Sequence, residues 1–173
     1  MRNETSPATK QIFTQTVQTR LGSVIFAANE DALTGLWFDK QKHFQGPQPD
    51  WIMKDDHPVL SKARVQLDEY MAGERKQFDL VVKPDGTAFQ QRVWQALTQI
   101  GFGQVISYGQ VAGKLGAERG VRAVAAAIGR NPISIVVPCH RVVAANGALT
   151  GYAGGLDRKR QLLALEEAPH ENG

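Results

Sequence analysis

Three short runs of β-favouring residues occupy the first part of the chain. Gln11-Ile12-Phe13-Thr14-Gln15-Thr16-Val17 is the first, Val24-Ile25-Phe26-Ala27 the second, and Leu33, Leu36 and Phe38 with Trp37 the third. Arg20-Leu21-Gly22-Ser23 and Asn29-Glu30-Asp31 separate them and carry turn chemistry. An antiparallel meander is the simplest assembly. Residues 41–56 hold Gly46, Pro47 and Pro49 and read as a loop. The period then changes. Val59, Leu60, Ala63, Leu67 and Tyr70-Met71 recur at helical spacing, which predicts a helix opened by His57-Pro58 and ended by Gly73. Phe78, Leu80 and Val82 alternate as a strand. Lys83-Pro84-Asp85-Gly86 reads as a turn and as a domain boundary, dividing the chain into 1–84 and 85–173.

Beyond that turn the pattern is helical. Thr87 is placed to cap a helix from Ala88 to about Ile100, with Phe89, Val93, Trp94, Leu97 and Ile100 as its apolar stripe. Ser107 is placed to cap a short helix from Tyr108 to Leu115, stopped by Gly116. A further helix is expected from about Glu118 to Gly129, ended by Asn131-Pro132. The apolar run Ile133-Ser134-Ile135-Val136-Val137 leads into Pro138-Cys139-His140-Arg141. Asn146-Gly147 is a turn signal, and a last helix is expected from Asp157 to Glu167 before a polar tail.

Composition narrows the class. With 173 residues, 42% of them hydrophobic and 21% charged, the chain can bury a core as one large domain or two small ones. A single cysteine excludes an internal disulfide. Four scattered histidines offer no zinc-ligand spacing, so no metal is expected. The lone thiol points to a reducing, cytoplasmic setting. The opening residues lack the apolar stretch of a signal peptide, and no run approaches membrane-spanning length.

Charge is uneven. Residues 1–86 carry 11 Lys and Arg against 12 Asp and Glu, whereas residues 87–173 carry nine against five. Between Ala88 and Leu156 six bases face one acid, Glu118. A cationic half beside a near-neutral half suits a polyanion. The two helices around Gly116 have the spacing of a helix-turn-helix. The second of them is mostly Gly and Ala, with Arg119 and Arg122 as its long side chains. Such a face suits close approach to a backbone and phosphate contact more than base reading. It also suits tight packing against protein.

The chemistry centres on Cys139. A thiol beside an imidazole and a guanidinium can become a nucleophilic thiolate at neutral pH. A lone cysteine can equally be a small buried hydrophobe, and residue types alone leave both readings open.

Pro138-Cys139-His140-Arg141, preceded by Gly129-Arg130-Asn131-Pro132, resembles the active-site signature of the O6-alkylguanine-DNA alkyltransferases. Four more segments agree in order and spacing: Phe89-Gln90-Gln91-Arg92-Val93-Trp94, Gly103-Gln104-Val105-Ile106-Ser107-Tyr108, Val121-Arg122-Ala123-Val124 and Gly151-Tyr152-Ala153-Gly154-Gly155. The resemblance is dense over about residues 85–168 and is closest to the stand-alone bacterial form. It implies an α/β (α+β) fold, with an N-terminal antiparallel sheet and helix of ribonuclease-H-like kind. The C-terminal part would be a helical active-site domain with a helix-turn-helix.

The resemblance also implies a function: irreversible, single-turnover transfer of an alkyl group from O6-alkylguanine, and from O4-alkylthymine, in duplex DNA. Cys139 would be the acceptor, and no cofactor would be needed. His140 would act as base through a water, oriented by Glu166 in the last helix. Asn131 would tie the helical segments together at the site. Tyr108 would donate to guanine N3, and Arg122 would enter the base stack in place of the flipped nucleotide. Main-chain groups near Val142 and Ala153 would read the guanine edge, with Tyr152 as a pocket wall. Ala153 stands where some members carry Ser, which keeps an N–H and removes a hydroxyl. Arg158, Lys159 and Arg160 read as a solvated face. The expected partner is double-stranded DNA, bound by a monomer, with cooperativity along the duplex left open. Three other readings compete: a damage reader without chemistry, a helix-turn-helix regulator and a cysteine hydrolase.

Overall fold

The computed structural model describes residues 11–117 and 120–167. Its N-terminal part is a four-stranded sheet of order β3-β2-β1-β4, where β1 is Phe13–Thr19, β2 Gly22–Ala28, β3 Leu33–Phe38 and β4 Ile52–Met53. β1, β2 and β3 form the expected antiparallel meander, with Thr16 opposite Ile25 and Ile25 opposite Trp37. β2 is buried along most of its length because both faces are covered. On one face Val24, Phe26 and Ala28 join the core against Leu60, Ala63 and Leu67 of α1 (Pro58–Met71). On the other, Trp37 lies over Gly35 and stacks on Phe44 at 4.3 Å and Trp51 at 5.9 Å. Any side chain at position 35 would collide with that indole ring.

Two segments differ from expectation here. Residues 41–56 are not wholly loop, since Ile52 and Met53 pair in parallel with Phe13 and Thr14. A two-residue strand leaves no periodic trace in sequence. Conversely, Phe78, Leu80 and Val82 form no strand. Val82 makes one isolated bridge to Leu33, although the three side chains still pack on the core.

The edge strand β3 positions the C-terminal half. Leu36 donates to the Pro132 carbonyl (2.8 Å), and Ser134 donates to the Leu36 carbonyl (2.9 Å). The apolar run before Cys139 is therefore docked on the sheet edge. Ile135 within it sits at φ 71°, a left-handed conformation that a β-branched residue adopts at a cost of roughly 1–3 kcal/mol.

The helices follow their caps. α2 (Ala88–Leu97) and α3 (Tyr108–Lys114) each begin with a reciprocal capping box, Thr87 with Gln90 and Ser107 with Gln110. α2 stops at Leu97 rather than Ile100. Trp94 on its apolar stripe donates to the Ala127 carbonyl at 2.8 Å, which locks α2 to α4 (Val121–Gly129). Glu118 and Arg119, expected in α4, lie outside the described residues; Gly120 is its N-cap. Ile106 and Ser107 (β5) pair in parallel with Val142 and Val143 (β6). α5 is Leu156–Leu165, so Glu166 is its C-cap rather than a residue of its interior. One hydrophobic cluster runs from β2 and α1 through α2 and α4 to Cys139 and Leu162. No helix among the described residues is long and apolar enough to cross a membrane.

Candidate active site

Cys139 opens a single 3-10 turn, Cys139–Arg141, and is 6% exposed. Asn131 holds the approach to it. Its side-chain NH2 donates to the Val137 carbonyl (2.8 Å) and its amide oxygen accepts from the Ile133 N–H (3.0 Å). A buried amide satisfied in this way fixes the strained loop around Ile135 and aims the next residues. Cys139 faces a cavity of about 520 Å³, walled by Tyr108, Ala125, Ala126, Gly129, Tyr152 and Ala153 and reaching Lys42, His43 and Arg130.

Behind the cysteine the chemistry is polar and sealed. His140 is fully buried, and its Nε2 lies 2.8 Å from Glu166 Oε2. Arg141 Nε donates to Glu166 Oε1 at 2.8 Å, Arg141 Nη2 to Oε2 at 3.0 Å, and Arg141 Nη1 to the Ile100 carbonyl at 2.6 Å. Tyr70 donates its hydroxyl to Oε2 at 2.5 Å, and the Gly103 N–H reaches Oε1 at 3.4 Å. Burial alone would raise the Glu166 pKa. The hydrogen bonds from His140 and Arg141 outweigh it and hold the carboxyl well below the usual range. An ionised carboxylate only accepts, so the proton of the bond to His140 sits on Nε2.

Burial, first, and the charges of Arg141 and Lys159 lower the His140 pKa against the pull of Glu166, so the ring is neutral. With Nε2 protonated, Nδ1 carries a bare lone pair. It is buried and has no hydrogen-bond partner among the described residues. This end of the site is a poised proton acceptor.

The thiol itself differs from expectation. The guanidinium of Arg141, two residues on, is spent on Glu166. Burial raises the Cys139 pKa, and Asn131 and the charge of Lys159 only partly offset it. The resting sulfur is a thiol that needs a base, not a preformed thiolate.

Lys159 also corrects the sequence reading. It is fully buried rather than solvated, and its Nζ donates to the carbonyls of Val142 (2.6 Å), Thr150 (2.9 Å) and Gly151 (3.2 Å). Burial lowers its pKa to about 8. Arg158 is likewise partly buried. It lies 4.6 Å over the Phe38 ring and donates to the Leu21 and Gly154 carbonyls. Arg160 remains at the surface, paired with Asp157.

The other expected residues divide. Tyr108 lines the cavity and donates to the Thr150 carbonyl at 3.1 Å. Tyr152 and Ala153 line it too, and the Ala153 carbonyl accepts from the Lys42 N–H at 2.9 Å. Val142 is buried and does not line it; its carbonyl accepts from Lys159 and its N–H donates to the Cys139 carbonyl. Arg122 is exposed and also outside the cavity. It shares a helical stripe with Ala125, Ala126 and Gly129, which leads to the cavity over about 10 Å.

Sequence reasoning missed Tyr70, Arg141 as a carboxylate partner, and Lys159. For Lys159 a signal existed: it precedes Leu162, Leu163 and Glu166 by three, four and seven residues, and so lies on the buried face of α5.

Two family models account for nearly the whole chain. Residues 12–84 match the 6-O-methylguanine DNA methyltransferase ribonuclease-like domain, and residues 88–168 match the DNA binding domain of the same family. The chain belongs to the 6-O-methylguanine DNA methyltransferase family. Among its relatives, the methylated-DNA–protein-cysteine methyltransferase of Haemophilus influenzae is 40% identical over 151 residues, covering 87% of this chain and 83% of that one. The enzyme of the same name from Methanosarcina acetivorans is 44% identical over 146 residues, covering 84% and 92%. In structure the family likeness extends to Mycobacterium tuberculosis OGT in complex with DNA. There the TM-score is 0.82 at 43% identity, covering 91% of this chain and 95% of that one.

Proposed function

We propose that this protein repairs DNA by moving an alkyl group from guanine O6 to Cys139, irreversibly and once per molecule. The observation that carries the reading is the buried Nδ1 of a neutral His140, unpartnered among the described residues and held by Glu166 behind a cysteine that faces an open cavity. His140 Nδ1 accepts the thiol proton through a water. The sulfur forms a bond to the alkyl carbon as the carbon–O6 bond breaks. The departing electron pair returns to the guanine ring, and Tyr108 stabilises it by turning its one hydroxyl proton from the Thr150 carbonyl to N3. A thioether has no easy leaving path, so the protein is consumed and no cofactor is required.

Duplex DNA is the partner in this reading. α4 enters the minor groove with its small-residue face, Arg122 occupies the vacated stack, and the flipped base enters the cavity between Tyr108 and Tyr152. The main-chain groups of Ala153 read its edge, while the Val142 main chain, held by Lys159 and Cys139, backs the site without lining it. O4-alkylthymine is accepted as a second substrate, the active species is a monomer, and the working compartment is the cytoplasm. In the same reading, residues 1–84 form a scaffold domain and 85–173 the DNA-binding and acceptor domain.

The test is a stoichiometric repair assay. A duplex bearing one O6-methylguanine is mixed with limiting protein, and restored guanine is counted over time. The expected result is a plateau at one guanine per protein, with no further repair when fresh duplex is added. Continued turnover overturns the single-use mechanism, and binding without restored guanine makes the chain a damage reader.

A further inference from the structure

The Glu166 carboxylate receives a donor from the opposite half of the molecule. Tyr70 closes α1, 96 residues away in sequence, and is 1% exposed. Its ring packs against Phe78 at 5.4 Å and edge-on to Phe102 at 6.2 Å. Burial, with the Glu166 charge beside it, pushes the phenol pKa far up, so the hydroxyl keeps its proton and donates. It donates to Oε2, the oxygen that also accepts from His140 Nε2. Donors on one carboxylate oxygen compete, because each withdraws charge and weakens the hold of the others.

We propose that Tyr70 is a positioning residue of the transfer site, supplied by the N-terminal half. Its hydroxyl takes a share of the Glu166 oxygen used by His140 and so keeps the imidazole neutral, with Nδ1 bare. Its place in the reaction rests on the alkyl-transfer reading; its coupling to His140 does not. Several groups set the charge felt by His140: Glu166 favours the imidazolium, while Arg141 and Lys159 oppose it. Cys139 and Tyr152 contribute only neutral groups at pH 7, since burial raises both pKa values. Among these, Tyr70 acts indirectly, by reducing what Glu166 can give. Removing the hydroxyl leaves Oε2 more basic, stabilises the imidazolium and moves the His140 titration to higher pH. A Phe ring keeps the packing against Phe78 and Phe102, so the change isolates the hydroxyl.

The experiment uses the full chain labelled with 15N-histidine, without DNA. Ring nitrogen shifts of His140 are followed against pH in wild type, in Tyr70→Phe, and in protein carrying 3-fluorotyrosine at position 70, a stronger donor of the same shape. The His140 midpoint is expected to rise by about half a pH unit or more in Tyr70→Phe and to fall in the fluorinated protein. At fixed pH the Nε2 proton moves downfield in the first and upfield in the second. The acid limb of single-turnover methyl transfer shifts the same way. Unchanged His140 signals, or shifts in the same direction in both variants, overturn the proposal. Should Tyr70→Phe not fold, the fluorinated protein decides alone. Should wild type transfer no methyl, the function falls, while the His140 signals still decide the role of Tyr70.

Discussion

Behind Cys139 stands a carboxylate with donors from His140, Arg141, Tyr70 and Gly103, shut away from water. In front of it lies an open cavity walled by small residues and two tyrosines, with Lys42, His43 and Arg130 reaching in. The two sides answer different physical needs. Proton handling needs fixed partners in a low dielectric, where each hydrogen bond is strong and an unpaired group is costly. Admitting a base and a phosphate backbone needs shape, close approach and solvated cations. Changes behind the cysteine should therefore damage stability and chemistry together. Changes in front should weaken DNA engagement and leave the fold intact.

The largest expected effect is behind. Glu166→Ala strands a buried guanidinium and should cost about 3–5 kcal/mol of stability, read by urea unfolding. A loss under about 1 kcal/mol would mean the network does not hold the C-terminal end. Lys159→Met comes next. It keeps the stem and removes the donor to three carbonyls, at a cost of about 1–3 kcal/mol at pH 7. The lysine has a further signature. Its folded pKa, about 8, lies below the ordinary 10.5, so the unfolded chain binds the proton more tightly. Wild type should thus gain stability as pH rises from about 8 to 10.5, and Lys159→Met should lack that gain.

Arg122→Ala probes the front. Repair of duplex DNA should fall roughly tenfold, while unfolding free energy stays within about 0.5 kcal/mol of wild type. A large stability loss there would erase the contrast between the two sides.

The smallest effect at neutral pH is the acid limit. The pKa of His140 is lowered in the folded state, so as pH drops below 6.5 the unfolded chain takes the proton first and stability declines. Glu166 is depressed from 4.5, so its contribution is present above 4.5 and is lost as pH falls toward its folded pKa. Melting temperatures at pH 7, 5.5 and 4.5 should fall in order. A flat profile would mean that folding leaves the His140 pKa unshifted, and a rise on acidification that it is raised.

The same contrast explains what was legible in the sequence. Strands β1 to β3, helix α1 and the caps Thr87 and Ser107 are set by local periodicity and short-range hydrogen bonds, and each stands within a few residues of its expected place. The cysteine motif with Asn131 and Tyr108 is local too. Tyr70 was readable only as a stripe residue, because its role depends on a partner 96 positions away. The pairing of Arg141 was hidden for the same reason, since the thiol lies two residues from it in sequence while its partner in space, Glu166, lies 25 residues away. Lys159 was misread because charge was weighed over helical face. The alternation of Phe78, Leu80 and Val82 predicted a strand correctly as to burial but not as to pairing, since one bridge to Leu33 is all that segment makes.

The most direct measurement is a peptide mass map after reaction with a duplex carrying one O6-methylguanine. The peptide holding Cys139 should gain one methyl in wild type, and Cys139→Ser should gain none anywhere. A methyl found on another residue, or no gain in a protein that binds the lesion, would contradict the assignment of Cys139 as the acceptor.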